Sequence, residues 1–134
     1  MWLSEQVMRR RAEPDPATLG TVSIGGEDGA VVTDGEKRAA KVISPGGYCW
    51  QPDAADEVLV VKGNELYVPG KLQKSPHALA PGEVLIYAGG SEILLTRSGV
   101  EITGKLQIAG NVQITGDVHI AGDLYVNGMK MEVP

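Results

Sequence analysis

The sequence predicts an all-β protein in two parts: a small barrel over residues 18–97 and a β-helical needle, shared by three chains, over residues 98–134. Three observations predict it. From Gly99 to Gly128 the chain reads GVEITG KLQIAG NVQITG DVHIAG DLYVNG, with glycine at Gly104, Gly110, Gly116, Gly122 and Gly128. Residues 18–96 hold short apolar runs separated by turn residues. The chain has 18 glycines, 8 prolines, 4% aromatic residues and no phenylalanine, so its core must be built from Val, Ile and Leu, which suit pleated sheets.

Residues 2–12 open the chain as a short helix, with Leu3 and Val7 on one face and Pro14 and Pro16 ending it. Arg9, Arg10 and Arg11 form a basic knot, either a solvated helix end suited to the macrodipole or a docking peptide for an acidic partner. Residues 1–17 are thus an arm or short helix ahead of the barrel.

The barrel strands are expected at Thr18–Ile24, Ala30–Thr33, Ala39–Ile43, Glu57–Lys62, Glu65–Val68, Glu83–Tyr87 and Glu92–Thr96. Between them lie Gly25-Gly26, Asp34-Gly35, Pro45-Gly46-Gly47, Gly63-Asn64, Pro69-Gly70, Pro81-Gly82 and Gly89-Gly90. An antiparallel five-stranded barrel of the OB type fits this length. The last pair is a hairpin closed by Ala88-Gly89-Gly90-Ser91, and it runs through Arg97-Ser98-Gly99 into the repeat without a flexible linker. A rigid junction is expected there.

The repeat carries two periods. Val100, Ile102, Leu106, Ile108, Val112, Ile114, Val118, Ile120, Leu124 and Val126 all fall at even positions, while Glu101, Lys105, Gln107, Asn111, Gln113, Asp117, His119 and Asp123 fall at odd ones. A period of two means extended chain with one face buried, and a period of six means stacked short strands. Each strand is only about 15 Å wide at a rise of ~3.3 Å per residue. Burying each aliphatic side chain is worth about 1.5–3 kcal/mol, which five short strands of one chain cannot capture. A left-handed single-chain coil needs three hexads per turn, so five hexads give fewer than two coils, and such coils carry one aliphatic residue per hexad instead of two. Three chains forming a three-sided prism bury the stripe and close every edge, with glycine letting the backbone turn between strands.

Three segments resemble a known family. Gly47-Tyr48-Cys49-Trp50-Gln51-Pro52 leads into Asp56-Glu57-Val58-Leu59-Val60-Val61, and Pro81-Gly82-Glu83-Val84-Leu85-Ile86-Tyr87 precedes Ile93-Leu94-Leu95-Thr96-Arg97-Ser98-Gly99-Val100. With the hexads, these are similar to the central spike, or baseplate assembly protein V, of contractile phage tails, and most closely to the Mu-like spikes. The resemblance covers about residues 18–134. It implies an OB-fold base and a homotrimeric needle driven mechanically through a target envelope, with baseplate hub and tail tube proteins as partners and the cell membrane met transiently. It places the protein at the tip of a virion or tail particle.

The chain departs from that family at two points. There is no room for a lysozyme insert, and the His-x-His pair that holds apical iron in many spikes is absent. His119 stands alone at an odd position and His77 lies in the loop before the hairpin, so both read as surface residues. The expected cofactor is therefore none, and Met129, Met131, Val133 and Pro134 are expected to close the apex.

No catalytic or metal-binding residue is expected. G-x-S-x-G is absent, Ser23 and Ser91 lack a nearby base in sequence, and no phosphate loop follows Gly20 or Gly25-Gly26. Asp53, Asp56 and Glu57 read as a solvated loop, and Asp117 with Asp123 as an acidic ring around the needle. Cys49 reads as a small buried apolar residue, with Tyr48 and Trp50 packing at the barrel base or a subunit contact. A lone cysteine excludes an internal disulfide framework, and a net charge of −5 disfavours nucleic acid as a partner. No apolar run spans a membrane or marks a secretory signal, so synthesis in a bacterial cytoplasm is expected. Two rival readings of the repeat are a polymerising β-helical scaffold of the bactofilin kind and a hexapeptide-repeat transferase.

Overall fold

The computed structural model describes residues 15–26 and 29–133. The expected helix over 2–12 and the arginine knot lie outside them, as does Pro134. Among the described residues the protein is all-β, without helix. Contacts divide it into two units, one ending at Pro76 and the other beginning at His77.

The first unit holds β1 (Ala17–Ile24), β2 (Ala30–Thr33), β3 (Glu36–Ala39), β4 (Lys41–Val42), β5 (Glu57–Lys62) and β6 (Leu66–Lys71). They form one sheet in the order β3-β2-β1-β5-β6-β4. Its two edge strands, β3 and β4, are successive pieces of one segment, separated only by Ala40. The sheet is therefore strongly curled, since its edges return to within a residue of each other. All ladders are antiparallel except β4–β6, which pairs Lys41 with Tyr67 and Val42 with Val68 in parallel.

Alternation decides what lies inside. Val58 and Val60 of β5, Val68 and Leu66 of β6, Val22 of β1 and Val31 of β2 form the core, with Ala40 and Trp50 packed against it. Val58 and Val60 are wholly buried. Gly20 is inward too, because a Cβ there would lie 2.8 Å from Thr33 Cγ2 and 3.0 Å from Val60 Cγ2. Asp34-Gly35 closes the β2–β3 hairpin with φ of 51° and 80°, the left-handed pair that a two-residue turn needs. The charged run Glu36–Arg38, which the sequence leaves outside the expected strands, joins Ala39 in a strand, Glu36–Ala39, exposed along its whole length. Charge of that kind blunts a sheet edge.

The second unit begins with β7 (Val84–Ala88), β8 (Ser91–Thr96) and β9 (Gly99–Thr103), a three-stranded antiparallel sheet. The hairpin expected at the end of the base domain thus pairs with the first hexad and lies with the repeat, so the division falls ahead of the 97/98 boundary expected from sequence. After Thr103 the chain is in no ladder until β10 (Leu124–Val126), which folds back on β11 (Met129–Met131). The Asn127-Gly128 turn joining them has φ of 51° and 76°. By its spacing Gly128 is one more repeat glycine. The Asn-Gly pair between alternating aliphatic residues makes it a hairpin turn instead.

Candidate assembly face of the repeat

The stripe is built by the backbone. Every even position from 100 to 126 is aliphatic or glycine, and each glycine takes a φ closed to other residues: 123° at Gly104, 156° at Gly110, 124° at Gly116 and 152° at Gly122. The values alternate with the residue before the glycine, Thr103 and Thr115 against Ala109 and Ala121, so two hexads make the full conformational repeat. At Gly110, Gly116 and Gly122 nothing lies within 4 Å of where a Cβ would stand. Within one chain, conformation and not crowding calls for glycine there.

In the isolated chain all ten stripe residues are exposed. Val100, Leu106 and Val112 are each 61% open, and Ile102, Ile108, Ile114, Val118, Ile120, Leu124 and Val126 are also above the exposure of any core residue. From residue 105 to 123 the backbone has no strand partner in its own chain. A hexad stripe that was expected to stack therefore presents apolar side chains and unpaired backbone groups together.

The stripe continues at both ends. At the start, Ile93 faces Ile102 and Leu95 faces Val100, while Ile86 faces Ile93 and Val84 faces Leu95. Residues directly opposite share a face, so six aliphatic side chains lie together, all exposed. The reverse face is served by the chain itself: Leu85, Tyr87, Leu94 and Glu92 are half-buried, and His77 Nε2 lies 2.7 Å from Glu92 Oε2. At the far end Leu124 faces Met131 and Val126 faces Met129, giving four apolar residues on one side of a hairpin. Lys130 Nζ reaches Asp123 Oδ1 at 3.4 Å. Met129, Met131 and Val133 of the expected apex are exposed, Val133 almost completely.

The other candidates disperse. Asp56 Oδ2 accepts a hydrogen bond from the Asp53 amide at 2.9 Å and lies 3.8 Å from Lys71 Nζ, and Asp53 Oδ1 accepts from the Ala54 amide at 3.1 Å. These acids fix a turn before β5. Among the described residues no three His, Cys, Asp or Glu side chains converge as a metal site. His119 and Asp117 are exposed along the repeat. Ser23 Oγ donates to the Ala30 carbonyl at 3.2 Å. Cys49 is exposed and not buried, which corrects the sequence reading. Its neighbour takes the inward place: Trp50 packs on the core and its Nε1 donates to the Ile43 carbonyl at 3.2 Å, leaving Tyr48 exposed. No helix among the described residues is long and apolar enough to cross a membrane.

Sequence reasoning missed Val84, Ile86, Ile93 and Leu95 as members of the stripe's face. Their alternation was visible, but only the β8–β9 register shows that they share a side with Val100 and Ile102. Comparison of the sequence with family models and with curated proteins finds no match.

Proposed function

We propose that this protein is the structural spike of a contractile tail or phage-derived device: a homotrimer whose hexad repeats intertwine into a needle that is pushed through a target envelope. The observation that carries this reading is the coincidence, over residues 105–123, of an exposed aliphatic stripe with a backbone that has no strand partner in its own chain. Both needs are met at once when neighbouring copies supply strands and side chains. Burial of ten aliphatic residues per chain, at about 1.5–3 kcal/mol each, is ample to drive such an assembly. A single-chain coil would give ladders between hexads, and the described residues have none there.

The base supports the same reading. Taking β3 and β4 as one strand, the sheet runs β1-β2-β3/β4-β6-β5 and returns to β1, and we read it as the five-stranded OB-type barrel expected from the sequence. The work is mechanical, so neither a catalytic group nor a cofactor is invoked, and the hub, the tail tube and transiently the target membrane are the partners of the assembled spike. Light scattering after gel filtration tests the reading: the mass should be about three times the 14.1 kDa of the chain. A monomer, or an open polymer as in the scaffold alternative, would sink it.

A further inference from the structure

The structure assigns a second part to the subunit interface: the face of the β7–β8–β9 sheet that carries Val84, Ile86, Ile93, Leu95, Val100 and Ile102 packs against the same face of two other copies, forming a collar above the needle. This inference rests on the trimeric reading and extends it to residues outside the repeat.

The register carries the argument. Val100 and Ile102 are the first two residues of the hexad stripe, and they stand directly across from Leu95 and Ile93. Those in turn face Val84 and Ile86. Opposed residues on adjacent strands lie about 5 Å apart, so a partner that covers Val100 and Ile102 also meets the next two rows. The reverse face has no need of a partner, since Leu85, Tyr87 and Leu94 are already half-buried by their own chain and Glu92 is held by His77. The sheet therefore has one finished side and one unfinished side, and the unfinished side carries six aliphatic residues, with Ala88 and Ser91 at its hairpin end.

Its dimensions suit three copies. Strands of five residues at a rise of about 3.3 Å make a face about 16 Å across, as in the hexads, and three such faces closed into a triangle stand about 5 Å from the axis. That is the reach of one layer of Val, Leu and Ile side chains, without charge to desolvate. The collar also differs from the needle in how it is made. Its ladders are complete within one chain, whereas residues 105–123 have none. The collar is thus a preformed patch on which three chains can meet before the hexads interlock.

Thiol accessibility in the full-length chain tests this. Exposed Cys49 is first replaced by Ser. In that background Ile86→Cys places a thiol on the proposed face, and Glu101→Cys places one on the opposite face of the same sheet. A small maleimide reports the labelling rate by mass spectrometry, and light scattering reports the mass of the same samples. In the trimer, Ile86→Cys should label about tenfold or more slowly than Glu101→Cys, and the two should label alike in urea. Failure of Ile86→Cys to assemble while Glu101→Cys remains trimeric would also support the collar. Equal labelling rates in intact trimers would overturn the collar and leave the spike reading standing. A monomeric parent chain would overturn both.

Discussion

Ile93 stands directly across from Ile102, and this pair joins the hairpin of residues 84–96 to the first hexad of the repeat. The neighbouring pair, Leu95 with Val100, does the same. Through these two pairs an aliphatic face that begins at Val84 continues into a stripe that ends at Val126 and turns back through Met129 and Met131. Apolar surface of that extent is abnormal for a monomer, and in the proposed spike it is where the copies meet.

Ile114→Asp and Gln113→Asp separate the two sides of the repeat. In the proposed needle, Ile114→Asp puts three carboxylates together in a dry axis, where each costs several kcal/mol, and the trimer should dissociate or unfold. Gln113→Asp lies on the outward side and should change stability by no more than about 0.5 kcal/mol per chain. Light scattering and thermal melting of the two variants check this, and equal effects would mean that the inward side is misassigned.

Local periodicity made the strands readable, while pairing stayed hidden. Ala30–Thr33 and Glu57–Lys62 were legible to the residue because alternation and flanking turns agree there. Glu36–Arg38 was not legible, because a strand of charged residues at an edge gains its place from the Asp34-Gly35 turn and not from burial. Ala39–Ile43 was expected as one strand and is split at Ala40, where the segment leaves β2 and joins β6. The aliphatic residues of the repeat were legible from spacing alone, and all ten are exposed in the single chain. Their extension into Val84 and Ile86 was not legible, since membership of a face across a sheet depends on register, which no single segment encodes. Cys49 and Trp50 show the same limit: adjacent residues point oppositely, and only the packing of Trp50 on the core shows which of them is inside.

Gly116→Ala tests the turn glycines. Its φ of 124° is barred to a residue with a Cβ, yet nothing lies within 4 Å of the added atom. The cost within one chain is therefore backbone strain, about 1–3 kcal/mol, repeated in each copy of a trimer. Gly46→Ala is the control: its surroundings are equally open and its φ is not in the left-handed region, so it should be neutral or slightly stabilising. A melting temperature that falls for Gly116→Ala and holds for Gly46→Ala is the expected result.

Lys41 offers a titration test of the curled sheet. Its ammonium lies 2.7 Å from Glu65 Oε2, and that hydrogen bond, followed by the attraction of the Glu65 charge, raises its pKa above the ordinary 10.5. A raised folded-state pKa means that the link is complete below the unfolded value and is lost as pH rises through the folded one. NMR titration of Lys41 Nζ should give a midpoint above 10.5 that returns toward it in Glu65→Gln. The same midpoint in both proteins would mean that the contact is not kept in solution.

Gly20→Ala probes the inside of the first unit, where the constraint is crowding. Gly20 pairs with Val58 in the β1–β5 ladder and faces inward. An added Cβ would lie 2.8 Å from Thr33 Cγ2, 3.0 Å from Val60 Cγ2 and 3.2 Å from the Val32 carbonyl oxygen. Two of these neighbours are methyl groups on χ1-restricted side chains and the third is backbone, so none can move away freely. Overpacking of this kind costs about 1–3 kcal/mol. Removing one of the methyls, in Gly20→Ala/Thr33→Ser, should recover part of the loss, because the hydroxyl is kept and the closest contact is gone. Urea unfolding followed by tryptophan fluorescence in a Trp2→Phe background reads the transition of this unit, since the remaining Trp50 packs against the same core. Equal midpoints for the parent and Gly20→Ala would mean that β1 and β2 are farther apart in solution than this close approach requires.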